Sequence, residues 1–370
     1  MSTTTLTLPS DTAEHGNLKQ SHRIKNASFN YYSLDTRPEL DDLSIFNGTS
    51  TDTTSRDLPV VDLRSLVEPL SSYQHETHGF QILHQPLPIE ASHASVHDAS
   101  VMSSQYFPAM VSLLKERFQL RSAVIINHTL RDVSSAQEDH HVDPKNPRPK
   151  GKSLAPFFLA HSDYTPAAAR AHFRAMTPQW FAETDTEVGT TQAERDEFFR
   201  LREEIISAED AAMRESGLTP DGTDGVNGKG GHWEWDGTGY TGPRYAMFSI
   251  WRPWETVYRD PLAVMDTRGL DLQYVALPRS YKHRPGCVKE YYNENVLVKP
   301  PEEGDISSHR WCYISEQKAE EVLAIKFYDS EVLRSSAEKP LMCPHTAFHA
   351  EGMEEKPLRR SCELRVWCIW

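Results

Sequence analysis

Short apolar runs separated by turn residues dominate the chain. In the first third, residues 58–63, 79–83 and the β-branched stretch 123–127 read as strands. Between residues 99 and 120, Val101, Tyr106, Met110, Leu113, Leu114 and Phe118 recur at helical spacing, which predicts a helix. Residues 131–152 are charged and carry three prolines, a loop signal. The apolar run 154–160 then leads into His161-Ser-Asp-Tyr-Thr165. From 165 to 215 the pattern is helical, most clearly over 191–215. Nine of the 18 glycines fall between Gly217 and Gly242, which predicts a flexible loop. That loop contains Trp233 and Trp235, costly to leave in water, so its C-terminal part is expected to fold back on the core while 221–231 stays mobile. It reads either as a lid or as a passive insertion. Beyond it, residues 244–251, 262–265, 272–275, 311–314, 322–328 and 363–369 are short β-type runs, the spacing of a sandwich or barrel.

Residues 1–28 are polar and rich in Thr and Ser, so a tail is expected there, with order from Phe29 in one domain spanning 29–370. The start has no basic n-region and no apolar h-region, so no secretory signal is read. The formal charge is −14, which argues against nucleic acid and anionic membranes as partners, and no run is long enough for a membrane span. The five cysteines, Cys287, Cys312, Cys343, Cys362 and Cys368, are odd in number and form no C-x-x-C, which fits reduced thiols and a cytoplasmic location. Neither a GxGxxG nor a phosphate-loop motif is present, which disfavours nucleotide folds. A small-molecule substrate is expected, and a homodimer is compatible with the sequence.

The candidate chemistry starts at His161. If 157–163 is extended, the period of two puts His161 and Asp163 on one face, where an imidazole and a carboxylate can reach one ion. A third ligand must come from elsewhere, and His345, in Pro344-His-Thr-Ala-Phe348, is the best candidate. Two histidines and one carboxylate on one side of a metal form the facial triad of non-haem iron oxygenases, with positions left for a 2-oxoacid and dioxygen. His141-Val-Asp143 matches the same short pattern, but it sits among Asp, Lys and Pro with no apolar approach, and reads as a solvated loop. Near the C-terminus, Arg359 and Ser361 share a strand face and suit a carboxylate such as the far end of 2-oxoglutarate. Arg365 shares that face and is an alternative anchor, whereas Glu363 between them is expected to pair with an arginine. Arg252, among aromatics, reads equally as a contact to a substrate carboxylate and as an internal ion pair. Lys326, with Asp329 nearby, reads equally as an inward-facing residue that needs an anion and as a surface residue. Tyr164, next to Asp163, reads as a pocket border, and Arg252, Tyr164 and Lys326 are the candidate substrate contacts.

Taken in order, Phe29-Asn-Tyr-Tyr32, Asn127-His-Thr-Leu-Arg131, His161-Ser-Asp-Tyr-Thr165, Ser249-Ile-Trp-Arg-Pro-Trp254, Asp260-Pro-Leu-Ala-Val-Met-Asp266, residues 321–330, Pro344-His-Thr-Ala-Phe348 and Arg359-Arg-Ser-Cys-Glu-Leu-Arg365 resemble the AsaB/CmcJ-type, gibberellin-desaturase-like family. The resemblance covers nearly the whole chain from Phe29. One departure is Arg-Arg-Ser-Cys at 359–362 where relatives usually carry Arg-Glu-Ser-Ile; Cys362, opposite Ser361, should be tolerated as a small apolar residue. The resemblance implies a mainly β fold with flanking helices (α+β) around a double-stranded β-helix of jelly-roll or cupin type. Residues 165–242 would then be a helical insertion with its glycine-rich loop. It further implies an oxidoreductase, an Fe(II)/2-oxoglutarate-dependent dioxygenase acting by hydroxylation, desaturation or oxidative cyclisation in secondary-metabolite biosynthesis. A zinc hydrolase using the same three ligands, and a non-catalytic β-barrel binding or accessory protein, are the alternatives.

Overall fold

A computed structural model describes residues 23–36, 38–39, 50–134, 153–176, 190–220, 231–268, 270–281, 291–334 and 339–370. Its described residues form thirteen strands in two sheets with helices packed outside.

The larger sheet takes β1 (Arg23–Tyr32), β2 (Thr53–Asp62), β5 (His161–Ser162), β7 (Leu262–Asp266), β8 (Tyr274–Tyr281), β9 (Tyr291–Val298), β10 (Arg310–Tyr313) and β12 (His345–Ala347). Their order is β1-β2-β10-β7-β12-β5-β9-β8, antiparallel except where β10 meets β2. The smaller sheet, β3-β11-β6-β13-β4, is antiparallel throughout and takes β3 (Phe80–His84), β4 (Ser122–Arg131), β6 (Tyr245–Pro253), β11 (Glu321–Asp329) and β13 (Ser361–Ile369). Facing sheets that curl towards each other make the jelly-roll core, and side chains from both inner faces meet between them.

Every residue of β6 and β11 is buried. One face meets the opposite sheet; the other is covered by α1 (Phe107–Phe118) and α3 (Gln192–Glu215), whose apolar faces carry Met110, Leu114, Phe198 and Ile205 into the core. Helix α1 carries Pro108 in its first turn and ends at Gln119 in the left-handed conformation, after a π-helical turn over Met102–Tyr106. Helix α3 starts on a capping box between Thr191 and Glu194. Helix α2 (Pro166–Ala171) begins directly after the His-Ser-Asp segment: Thr165 accepts a hydrogen bond from the Ala168 amide, and Pro166 presets the first turn. That cap stops β5 after two residues and fixes the exit of Asp163.

Order begins earlier than the sequence implies. β1 starts at Arg23, not Phe29, because it finds a full partner in β2, and Phe29 stacks on Trp311 at 4.9 Å. The glycine-rich loop returns to the core as expected. Trp235 is buried, its carbonyl accepts from Arg170, and Trp233 meets Tyr292 edge-on at 5.0 Å. The expected tail over 1–22, the loop 135–152 with His141 and Asp143, and the mobile stretch 221–230 lie outside the described residues.

Candidate metal centre

His161 and His345 are directly opposed in register across the antiparallel pair β5–β12, and their rings lie 4.4 Å apart. Asp163, two residues on from His161, brings its Oδ1 to 3.4 Å from His161 Nε2. One ligand atom from each of the three residues falls within 4.8 Å of the others, and all three residues are buried. Neighbours orient each group. The Leu159 carbonyl lies 2.7 Å from His161 Nδ1, which puts the proton there and leaves the Nε2 lone pair for an ion. Phe327 stacks on the His345 ring at 5.5 Å, and Asn295 Nδ2 donates to the Asp163 carbonyl at 2.7 Å.

The electrostatics favour a bare carboxylate at Asp163 and a neutral imidazole at His345. Burial alone would raise the Asp163 pKa, but Arg365 and the two imidazoles hold it well below the carboxylate range. Burial and the adjacent His161 pull His345 down to about 3, so it presents a lone pair rather than a proton. Two imidazoles and one carboxylate suit iron or zinc, and they leave coordination positions open. The donor set therefore fits the expected metal.

The opposite wall comes from the smaller sheet. Arg131, Ser249, Trp251, Ile325, Arg359 and Glu363 line the pocket that holds the three ligands, with Phe157, Leu262 and Thr346 from the other side. Arg131 meets Glu363 with Nε at 3.2 Å and its terminal nitrogen at 3.1 Å, so Glu363 pairs with an arginine as expected. Arg359 is differently placed. It is buried, donates to the Asp260 carbonyl at 2.7 Å, lies over Trp251 at 5.4 Å, and has no carboxylate partner among the described residues. Its Nε and the buried Ser361 Oγ have no hydrogen-bond partner among the described residues. Burial, with Arg131 nearby, depresses its pKa to about 9 against the smaller opposing pull of Asp260 and Glu363.

Arg365, Arg252 and Lys326 each already have a partner within the protein. Arg365 points at Asp163, with Nε at 2.8 Å and a terminal nitrogen at 2.6 Å from Oδ2, so its fork is already filled by a carboxylate. Arg252 lies on the face of β6 opposite Trp251, where it donates to the Ala319 and Gln85 carbonyls at 2.6 Å each. Lys326 is buried with Nζ 2.9 Å from Asp329, on the face of β11 opposite the pocket-lining Ile325. Tyr164 is buried against His172 and Phe327, the ring that stacks on His345. Sequence reasoning missed Arg131 and Trp251 as pocket walls; Arg131 is the last residue of β4, and Trp251 shares a face of β6 with Ser249 by parity. A larger cavity of about 420 Å³, lined by Leu63, Tyr73, Asp266, Arg268 and Trp311, shares no residue with this pocket. Its Arg268 and Asp266 are paired with each other, and the three metal-ligating residues lie in the smaller pocket.

A family model described as "Oxidoreductase/YMDC permease-like domain" matches residues 25–191 and 235–369, leaving out α3 and the glycine-rich stretch. No described helix is long and apolar enough to cross a membrane. The Gibberellin cluster GA4 desaturase of Gibberella fujikuroi is 25% identical over 350 residues, covering 87% of this chain and 89% of that protein. The Hydroxylase/desaturase asaB of Aspergillus flavus is 35% identical over 130 residues, 33% of this chain and 54% of its own. Among solved structures, an iron and alpha-ketoglutarate-dependent endoperoxidase, NvfI, superposes with a TM-score of 0.57 at 18% identity, covering 94% of this chain and 98% of that one, which supports the jelly-roll fold. The match to both halves of the β core, on either side of α3, shows that the chain belongs to this oxidoreductase family and is homologous to the AsaB/CmcJ-type, gibberellin-desaturase-like oxygenases.

Proposed function

We propose that the chain is an Fe(II)/2-oxoglutarate-dependent oxygenase that oxidises an unactivated C–H bond of a small molecule in secondary-metabolite biosynthesis. The observation that carries this reading is the buried Arg359, without a carboxylate partner among the described residues, in the lining of the pocket that holds His161, Asp163 and His345, with the buried Ser361 two residues on, whose Oγ has no hydrogen-bond partner among the described residues. A dicarboxylate that chelates a metal at one end and needs a guanidinium at the other fits both features.

His161, Asp163 and His345 would hold the iron, which with 2-oxoglutarate and dioxygen supplies the oxidising power. The protein's own part is placement. Arg365 fixes the Asp163 carboxylate, so that Oδ1 is turned towards the two imidazoles. Arg359 and Ser361 grip the distal carboxylate of the cosubstrate. Arg131 and Glu363 neutralise each other and keep a second charge pair from competing for it. Phe157, Trp251, Leu262 and Ile325 give the pocket an apolar lining suited to a hydrocarbon face of the substrate and to exclusion of water. Hydroxylation, desaturation and ring closure differ in where the substrate carbon sits relative to the metal, which these side chains set.

A zinc hydrolase would use the same three ligands but would leave the Arg359 charge buried without an anion. A binding or accessory protein would need neither the metal ligands nor the anchor. The deciding assay is formation of succinate from 2-oxoglutarate, coupled to oxygen uptake and dependent on added Fe(II). Succinate formation that Asp163→Ala abolishes is expected. Hydrolytic turnover with Zn(II) and no succinate under any condition overturns the reading.

A further inference from the structure

Outside the pocket lining, a second group of metal-ligating side chains is partly exposed. His93 and His97 lie at i and i+4 on the short helix His93–His97, and Asp132 lies just beyond the end of β4. Residues four apart on a helix share a face, and here the two rings stack at 4.0 Å with 26° between their planes. Both Nε2 atoms are aimed at one oxygen: His97 at 2.7 Å and His93 at 3.6 Å from Asp132 Oδ2. The Asp132 side chain is 2% exposed, and its other oxygen, Oδ1, has no hydrogen-bond partner among the described residues. A carboxylate this deeply buried needs cationic compensation. No Lys or Arg pairs with it among the described residues; the two imidazoles are the side chains that face it.

We propose that His93, His97 and Asp132 form a second metal site, for a divalent cation of the zinc class, separate from the His161/Asp163/His345 centre. Two imidazole nitrogens and one carboxylate oxygen form a borderline donor set that selects zinc, copper or nickel over calcium or magnesium. The three ligand atoms fall within 4.8 Å of one another, close enough for one ion to touch all three after small side-chain rotations. His93 is 67% exposed, which gives the ion a route in and leaves room for water as the remaining ligand. Ser92 caps the helix by accepting from the Ser95 amide, and Val96 is buried beneath it, so both histidines project from a fixed turn.

A contrasting cluster marks what is specific here. His75, Glu76 and Asp329 also converge, but Arg244 meets Asp329 at 2.6 Å and Glu76 at 2.7 Å, and Lys326 meets Asp329 at 2.9 Å. Its negative charge is already balanced by fixed cations, and a metal has no electrostatic reason to enter. At Asp132 no such cation is present among the described residues. A bound ion would clamp the 93–97 helix to the end of β4, next to Arg131 in the pocket wall.

The test is metal stoichiometry on the full chain, stripped of metal and titrated with Zn2+ against a competing chelating dye. Two equivalents per chain are expected for the wild type. The variant carrying His93→Ala and His97→Ala should take up one, its second affinity weakened by more than roughly 100-fold. Asp163→Ala should also take up one, at the surface site. Backbone amides over 93–101 should exchange more slowly with solvent when Zn2+ is added to Asp163→Ala, and should not respond in the double variant. The single variant His93→Ala changes an exposed side chain and serves where the double variant is poorly folded; it should lose the same equivalent. Wild-type stoichiometry in the histidine variants, or amides over 93–101 that ignore Zn2+, would overturn the proposal and leave a plain His–Asp contact.

Discussion

Replacing Arg359 by methionine keeps the apolar stem over Trp251 and removes only the charge and the fork. Among the described residues the guanidinium makes one hydrogen bond, to the Asp260 carbonyl, while its Nε and Ser361 Oγ have no partner. The lost contact is therefore the one made to the cosubstrate. Charge-assisted hydrogen bonds contribute about 1.5–3 kcal/mol each, and a forked contact that also displaces water about 2–4 kcal/mol net. At about 1.4 kcal/mol per decade, the KM for 2-oxoglutarate should rise roughly 30- to 1,000-fold. Iron binding should be unchanged, since no triad ligand touches Arg359 in the hydrogen-bond network around the metal site. Stability gives a second readout with a defined sign. Burial and Arg131 depress the Arg359 pKa, so its charge is a cost to the unliganded fold, although a guanidinium stays protonated across the working range. The unliganded variant should therefore melt no lower than the wild type, and saturating 2-oxoglutarate should raise the melting temperature of the wild type alone. The assay is succinate formation against 2-oxoglutarate concentration, with thermal melts in parallel. A KM within about threefold of the wild type, given the magnitudes above, would refute the anchor.

Further outcomes follow from the same geometry. His161→Ala, Asp163→Ala and His345→Ala should each weaken Fe(II) retention in equilibrium dialysis by more than roughly 100-fold; full occupancy in any of them contradicts the triad. Arg365→Leu removes the cation that keeps the Asp163 pKa low, so burial should raise it and protons should compete with iron at higher pH. The pH at which half the iron is lost should rise by about one unit or more, and an unchanged profile removes Arg365 from the site. Arg252→Ala strands the carbonyls of Gln85 and Ala319 and should cost about 2–4 kcal/mol in denaturant unfolding while leaving the 2-oxoglutarate KM untouched.

Local pattern carried much of the fold and stopped at predictable places. The strands of the smaller sheet were legible because they are long and apolar. β12, three residues after a proline, is too short to alternate, and β9 hides its apolar face behind Asn293, Glu294 and Asn295. The pair His161 and Asp163 was legible from parity alone. Their meeting with His345 was not, because register between distant strands leaves no local mark; that residue was reached from the chemistry of a three-ligand site. Parity failed at Arg252 and Lys326 for a physical reason. β6 and β11 are buried on both faces, so an apolar run gives no sign of which face meets the pocket. Arg359 and Arg365 share a face by parity, and only the position of Asp163 separates their roles.

The charges around the cluster close the argument about chemistry. Asp163 is matched by Arg365, and Glu363 by Arg131, which leaves Arg359 as the cation in the pocket lining without a carboxylate among the described residues. A divalent metal at the His/Asp/His cluster adds two more positive charges to the same small space. Water alone cannot balance that in a buried pocket, because an uncompensated charge away from bulk solvent is expensive. A hydroxide, as a hydrolase would use, returns one negative charge and sits at the metal, out of reach of balancing Arg359 on the opposite wall. A dicarboxylate would return two, one at each end, and the proposed anchor puts the second at Arg359, whose Nε has no hydrogen-bond partner among the described residues. The pocket is thus built around a ligand with two separated anionic groups, and the unbalanced guanidinium in its wall argues for an oxoacid cosubstrate over an activated water.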